Sequence, residues 1–169
     1  MALESGVSLR NHAVRARFPV TRAWSERFSG ASRTWPEFAS GATIALLTPM
    51  IIGKGRTIRL EPESLFRSAL RRAALIAPWM HCRLEHDEAA MMDRAAGFGF
   101  DMSGIHPEHW ERTSRRRPGR EIPVEGYGGQ VLVKGTLGAW ATYLALAEYG
   151  ALGGECALGF GAARVTIWP

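Results

Sequence analysis

The sequence has no apolar run long enough to cross a bilayer, and its first residues, MALESGVSLRNHAVRARF, lack the apolar core of a secretion signal. A helix that spans a membrane needs about 18 to 20 consecutive apolar residues, and a signal peptide needs an apolar core behind its basic start. We therefore expect a cytoplasmic protein that has no membrane partner.

Cysteine is scarce as well, since the chain contains only Cys82 and Cys156. Two cysteines give neither a disulfide framework nor a C-x-x-C pair, which favours a reducing compartment. The histidines near Cys82 and the H-x-x-H pair at residues 106–109 do not match the ligand spacing of a zinc site. We predict no metal site and no cofactor.

The phosphate-binding motifs G-x-x-x-x-G-K-[ST] and G-x-G-x-x-G are also absent, although the segment GALGGECALGFGAARV contains five glycines. This segment follows a predicted helix and precedes a predicted strand, whereas phosphate loops follow a strand and open a helix. The order argues against a nucleotide cofactor. Two interpretations remain open: a purely structural turn in which Gly150 caps the helix, or a loop that lets a backbone or a phosphate approach.

Basic residues are nearly missing after Arg120, where only Lys134 and Arg164 occur. The net charge of +5 is therefore carried by arginines of the first forty residues, of a predicted helix, and of the run ERTSRRRPGR. Guanidinium groups bind phosphates through a forked, permanent charge, so this concentration indicates a polyanion-binding face. A solvated loop is the alternative, and Trp110 beside the run either stacks on a base or anchors the core.

Hydrophobic periodicity predicts an α+β protein, with residues 1–41 as an irregular basic arm and residues 42–169 as a ferredoxin-like (RRM-like) βαββαβ sandwich. Within the second part, Pro49 argues against one unbroken central strand. The predicted elements are a strand and a hairpin around residues 53–55, a helix over 65–77 ended by Pro78, a weaker helix over 85–96, loops and short strands over 97–129, the strand GGQVLVKG, the buried helix LGAWATYLALAEYG and the strand AARVTIW.

Four stretches in a fixed order carry a family resemblance: ATIALLTPMII, LFRSALRRAALIA, HWERTSRRR followed by GYGGQVLVKGTL, and LALAEYGALGGECALGFGAARVTI. From about Ala42 to Ile167 the chain resembles the C-terminal domain of the CRISPR precursor-RNA-processing endoribonucleases of the RAMP superfamily. The resemblance implies a ferredoxin-like domain, usually one of two in tandem, that binds the repeat hairpin. It also implies cleavage without metal, with the upstream 2′-hydroxyl as nucleophile and often a histidine as general acid or base.

The resemblance implies CRISPR repeat RNA or crRNA as the partner, alone or together with other Cas subunits. RNA contacts are expected from the arginine run and from the glycine-rich segment. The predicted RNA-binding residues are Arg112, Ser114, Arg115, Arg116, Arg117, Arg120, Gly153, Gly154, Gly159 and Gly161. His12 and His109 are the predicted proton-transfer residues.

Two departures leave the activity open between an endoribonuclease and a non-catalytic RNA-binding subunit that scaffolds an effector complex. The family's L-H-V-G-K pattern before the glycine loop is replaced by Ala151-Leu152-Gly153-Gly154, without the His and the Lys. The family's first RAMP domain, where catalytic residues commonly lie, has no equivalent beyond the forty-residue arm. A third interpretation is a ferredoxin-like interaction domain whose basic face is only solvated.

Overall fold

The computed structural model describes residues 5–10, 13–19, 38–52, 60–77, 84, 87–114 and 119–169. The chain divides into two units, residues 1–33 and residues 34–169. The predicted hairpin around residues 53–55 and Pro78 at the end of the first helix lie outside the described residues. The division into an arm and a ferredoxin-like domain at residue 41 stays a prediction.

The first unit contains an antiparallel hairpin, in which strand β1 (Ser5–Arg10) pairs with strand β2 (Ala13–Pro19). The irregular arm predicted for residues 1–41 is therefore wrong over residues 5–10 and 13–19, where the apolar and basic alternation VRARF lasts only five residues. A period of two is the pattern of a strand, and cross-strand pairs stabilise runs that are too short to be predicted from one strand alone.

The second unit is built on an antiparallel sheet whose middle strand is β3 (Gly41–Met50). Its other strands are β4 (Gly99–Asp101), β5 (Ile105–Thr113), β6 (Glu121–Lys134) and β7 (Ala163–Trp168). Strand β3 lies between β6 and β7, while β4 and β5 pair with β6 at residues 132–134 and 121–129. Strands β4 and β5 therefore share one position at the edge of the sheet.

Three helices are present in the described part of the chain: α1 (Pro62–Ile76), α2 (Glu88–Ala96) and α3 (Trp140–Gly150). Pro62 and Glu63 lie in the first turn of α1, where a missing N–H and a negative charge are both favourable. Asp87 caps α2 by accepting a hydrogen bond from the Ala90 N–H at 3.0 Å. None of these helices is long and apolar enough to cross a membrane.

The element order β3-α1-β4/β5-β6-α3-β7, with α2 inserted after α1, is βαββαβ. The predicted α+β, ferredoxin-like fold class is therefore confirmed. Its core is centred on Phe66, whose ring lies 4.5 Å from that of Trp140 and 5.4 Å from that of Phe100. Trp140 also donates its Nε1–H to the Met91 carbonyl at 2.9 Å, which fixes α2 to α3.

The prediction of loops and short strands between residues 97 and 129 is confirmed by β4, which has three residues, but it was wrong for the rest, because β5 and β6 form a long hairpin there. Proline and glycine at Pro107, Pro123, Gly126 and Gly128 gave a turn-like composition. Pro107 is tolerated because β5 is an edge strand within the described sheet. Gly126 lies against the end of β3, where a Cβ would approach the Pro49 side chain at 2.9 Å.

The prediction for Pro49 is confirmed, since β3 does not continue as one regular central strand. Its pairing with β6 shifts register between Leu46 and Met50, and its pairing with β7 ends at Leu46. Proline has no N–H to donate to a β-ladder. Pro49 lies where the pairing is irregular, so the regular ladder does not lose a hydrogen bond. The segment that leaves the ladder contacts the glycine-rich segment instead.

Candidate nucleic-acid interface

The glycine loop, residues 150–161, connects the end of α3 to the approach of β7 and contains a short 3-10 helix, Cys156–Leu158. Ala151 (φ 60°) and Glu155 (φ 52°) are the non-glycine residues with positive φ in the described part of the chain. Such conformations cost about 1 to 3 kcal/mol each and persist where surrounding contacts impose them. The loop therefore needs strong support from its neighbours.

The irregular end of β3 supplies one side of that support. The Thr48 hydroxyl donates to the Gly159 carbonyl at 2.8 Å and accepts from the Ala162 N–H at 2.9 Å. The Pro49 carbonyl accepts from the Gly161 N–H at 2.9 Å. The T-P dipeptide of the first stretch thus binds the loop directly, a role that the sequence did not reveal.

Helix α1 supplies the other side of the support. The Gly153 N–H donates to the Ser68 hydroxyl at 2.6 Å, and Arg72 Nη2 donates to the Gly153 carbonyl at 3.0 Å. The Gly154 N–H donates to the Ile51 carbonyl at 2.8 Å. Ser68 and Arg72 share one helix face because they are four residues apart, and this spacing is the signal that could have paired them. Arg72, part of the basic helix in the sequence, directs one of its donors to the loop.

All four glycines predicted to contact RNA donate their N–H groups to protein acceptors. Gly153, Gly154 and Gly161 do so as described above, and Gly159 donates to the Cys156 carbonyl at 3.0 Å. Phosphate loops work through free backbone N–H groups, and these four are engaged. The prediction that these glycines contact RNA stays a prediction, and Gly161 is buried whereas Gly153, Gly154 and Gly159 keep some exposed surface.

Close approach of backbones explains two of these glycines. Gly161 (φ +73°) and Gly153 (φ +83°) have left-handed conformations. A Cβ on Gly161 would overlap the Leu152 carbonyl oxygen, and a Cβ on Gly153 would overlap the Ile51 carbonyl oxygen. The structural interpretation of the cluster therefore accounts for both positions, whereas Gly159 faces open space.

One face of β5 carries four polar or aromatic side chains, which we call the β5 face: His106, Glu108, Trp110 and Arg112. They share a face because side chains alternate along a strand. His106 Nε2 lies 3.4 Å from Glu108 Oε1, and Trp110 Nε1 donates to Glu108 Oε2 at 3.1 Å. The face therefore presents an imidazole, a carboxylate, an indole and a guanidinium in a row.

The β5 face meets the glycine loop at two contacts. The ring centroids of Trp110 and Phe160 are 6.0 Å apart at an interplanar angle of 64°, an edge-to-face arrangement. Arg112 Nε lies 3.6 Å from Glu155 Oε2. Two segments that the sequence analysis selected separately are therefore adjacent, and Trp110 keeps 45% of its surface exposed beside them.

Arg112 keeps unused hydrogen-bonding capacity at this junction. Its Nε is buried with no hydrogen-bond partner in the described residues, while its side chain remains 34% exposed. The 3.6 Å separation from Glu155 is an ion pair but exceeds hydrogen-bond length. Because Nε is buried, any contact between Arg112 and a ligand depends on the exposed part of its side chain.

The remaining predicted residues are placed as follows. His109 lies on the opposite face of β5, in register with Glu125 of β6, so it does not join the β5 face. The Ser114 N–H donates to the Arg120 carbonyl at 2.8 Å, which closes the connection between β5 and β6. His12 and the three consecutive arginines Arg115, Arg116 and Arg117 lie outside the described residues.

A match to a protein-family model establishes the family of this chain. A family model described as CRISPR-associated endoribonuclease Cas6 matches residues 44–163, a range that includes both the β5 face and the glycine loop. The chain belongs to the Cas6 endoribonuclease family. No curated protein sequence matches it.

Solved Cas6 structures share the fold. A Cas6 product complex is similar with a TM-score of 0.56 and 17% identity, over 90% of this chain and 62% of that chain. Thermus thermophilus Cas6 is similar with a TM-score of 0.56 and 17% identity, over 91% of this chain and 65% of that chain. This chain thus spans less than two-thirds of the length of either Cas6 structure.

Replacing Thr48 with valine is expected to lower the free energy of unfolding by about 1 to 3 kcal/mol, because both hydrogen bonds of the Thr48 hydroxyl, to Gly159 and Ala162, are lost. Urea denaturation measures the change. Thr43→Val makes the same change elsewhere on β3 and is expected to cost less than about 0.5 kcal/mol. Equal losses in the two variants would show that the Thr48 hydroxyl does not support the loop.

Proposed function

We propose that this Cas6-family chain binds CRISPR repeat RNA at the junction of the β5 face and the glycine loop. The contact of Arg112 and Trp110 with the loop carries the proposal, because it gathers a guanidinium and an exposed indole within the segment that the family model covers. Arginine suits phosphate oxygens, and an exposed aromatic ring suits an unpaired base.

The arginines that follow β5 in the sequence are further RNA-binding residues in the proposal. Arg115, Arg116 and Arg117 come soon after Arg112 in the sequence, and Arg120 is exposed immediately before β6. Each phosphate contact releases counterions, so log K is expected to fall linearly with log salt, with a slope of about −0.7 per phosphate contacted on single strands. A flat salt response would favour a merely solvated basic face.

The proposed reaction is cleavage of the repeat without a metal ion. The 2′-oxygen attacks the adjacent phosphorus, the bond from phosphorus to the 5′-oxygen breaks, and a cyclic phosphate and a 5′-hydroxyl result. One group accepts the proton of the 2′-hydroxyl and another protonates the leaving oxygen. His12 and His109 are the predicted proton-transfer residues, and His106, which lies on the β5 face beside Glu108, is a third candidate.

The activity is tested by incubating the protein with labelled repeat RNA in EDTA. Cleavage is expected to persist in EDTA and to disappear when the 2′-hydroxyl upstream of the cut is replaced by hydrogen. Among His12→Ala, His106→Ala and His109→Ala, the variant that lacks the proton-transfer group is expected to be about 10²- to 10⁴-fold slower. No cleavage by the unaltered protein, with RNA binding intact, would remove the enzyme and leave the binding proposal.

A non-catalytic RNA-binding subunit that scaffolds an effector complex is the second candidate. Ala151 and Gly154 stand where the family pattern has His and Lys, and this difference is the observation that favours the second candidate. Copurification with other Cas subunits and crRNA, without cleavage, would support it. A monomer that cleaves repeat RNA by itself would contradict it.

A further inference from the structure

A groove separate from the β5 face lies between the first turn of α1, the second half of α2 and strand β4. Its cavity volume is about 720 Å³. Met92 and Phe100 line it and are half-buried, and Phe66 lies fully buried beneath them. The groove therefore has an apolar floor that is open to solvent.

The walls of the groove are held in place by contacts of their own. Arg67 donates to Glu63 at 2.8 Å within α1 and to Glu88 at 2.6 Å on α2, so one guanidinium joins the two helices. Phe66 packs against Phe100 with ring centroids 5.4 Å apart. A groove fixed in this way loses little conformational freedom when it is filled, which favours binding.

The rim of the groove is acidic although the whole chain has a net charge of +5. Glu61, Glu63 and Asp93 are exposed at its edge. Arg67, the basic residue among those that line it, already binds Glu63 and Glu88. Carboxylates repel phosphates, so this rim disfavours RNA and favours a cation.

We propose that the groove docks a basic, amphipathic segment of a partner protein. Large apolar side chains of that segment would cover Met92 and Phe100, and its lysines or arginines would pair with Glu61 and Asp93. Amphipathic helices commonly bind in apolar grooves in this way, and charge complementarity supplies the specificity. The proposal is independent of RNA cleavage, because the groove and the β5 face share no residue.

The test uses the full chain and a labelled synthetic amphipathic helix with leucines on one face and arginines beside them. A peptide with glutamates in place of the arginines, and one with serines in place of the leucines, are compared with it by fluorescence anisotropy. The basic apolar peptide is expected to bind at least about tenfold more tightly than either. The double variant Glu61→Lys with Asp93→Lys is expected to lose about tenfold in affinity.

The matched control is Glu121→Lys with Glu125→Lys, which makes the same charge change at exposed positions of β6 and should leave peptide affinity unaltered. Equal binding of all three peptides, or no binding of the basic peptide, would overturn the proposal. Sedimentation provides the last arm, because a dimer that the groove variant dissociates would make a second copy of this chain the occupant instead.

Discussion

Replacing Gly161 with alanine is expected to lower the free energy of unfolding by about 2 to 5 kcal/mol, because two costs add at this position. The residue has φ +73°, a left-handed conformation that costs a residue with a Cβ about 1 to 2 kcal/mol. The new Cβ would also overlap the Leu152 carbonyl oxygen. That carbonyl cannot move freely, because the Leu152 N–H donates to the Gly161 carbonyl at 2.7 Å.

Two other glycines of the loop separate the cost of the left-handed conformation from the cost of the steric overlap. Gly159 (φ +93°) has nothing within contact distance of its Cβ position, so Gly159→Ala is expected to cost only about 1 to 2 kcal/mol. Gly154 has ordinary contacts, the nearest at 3.7 Å, so Gly154→Ala is expected to alter stability by less than about 0.5 kcal/mol. Urea denaturation of the three variants measures their unfolding free energies and so tests the expected order.

The outcome of this series bears on what the glycine loop is for. Losses in the order Gly161, Gly159, Gly154 would show that fold geometry requires glycine at Gly161. Similar small losses of unfolding free energy at all three positions would show that the loop backbone adjusts to a Cβ. Fold geometry would then not explain the glycines, and contact with a ligand would be the remaining explanation. The RNA affinity of Gly154→Ala and Gly159→Ala tests that second reading directly, since both are expected to fold.

Most of the regular elements could be predicted from local patterns. Helix α1 was predicted from Pro62 and Glu63 at its start and from apolar residues at helical spacing. Helix α3 is buried on nearly all sides, and its continuous apolar run indicated this. Helix α2 begins at Glu88 rather than near residue 85, because Asp87 is the capping residue.

The β5–β6 hairpin could not be predicted in the same way, because its stability comes from pairing. Pro107 and His109 are unusual inside a strand, and β5 alternates only weakly between buried and exposed positions. Its nine residues are ordered by the register with β6. Pairing energies between distant segments do not appear in the pattern of either segment alone.

The sequence predicted the segments of the candidate site but not the contacts between them. The arginine run and the glycine segment were each found, but nothing in the sequence places Arg112 beside Glu155 or Trp110 beside Phe160. These contacts depend on how the hairpin lies against the loop. The sequence also does not show that the Thr48 hydroxyl makes hydrogen bonds to Gly159 and Ala162. These bonds explain the structural role of the T-P dipeptide.

The change with the largest expected effect on RNA affinity is Arg112→Ala. A charge-assisted hydrogen bond contributes about 1.5 to 3 kcal/mol, so we expect repeat RNA to bind about 10- to 100-fold more weakly. The slope of log K against log salt is expected to become shallower by about one unit or slightly less. Fluorescence anisotropy at several salt concentrations measures both quantities.

The control variants decide whether Arg112 binds RNA or only holds the loop. Glu155→Gln removes the same ion pair of 3.6 Å but also removes a negative charge beside the proposed phosphate site, so it is expected to tighten RNA binding severalfold. Arg94→Ala removes one positive charge from the exposed surface of α2 and is expected to alter affinity by less than about twofold. If Arg112→Ala and Glu155→Gln weakened binding equally, the ion pair itself would be the requirement, and Arg112 would act by positioning the glycine loop.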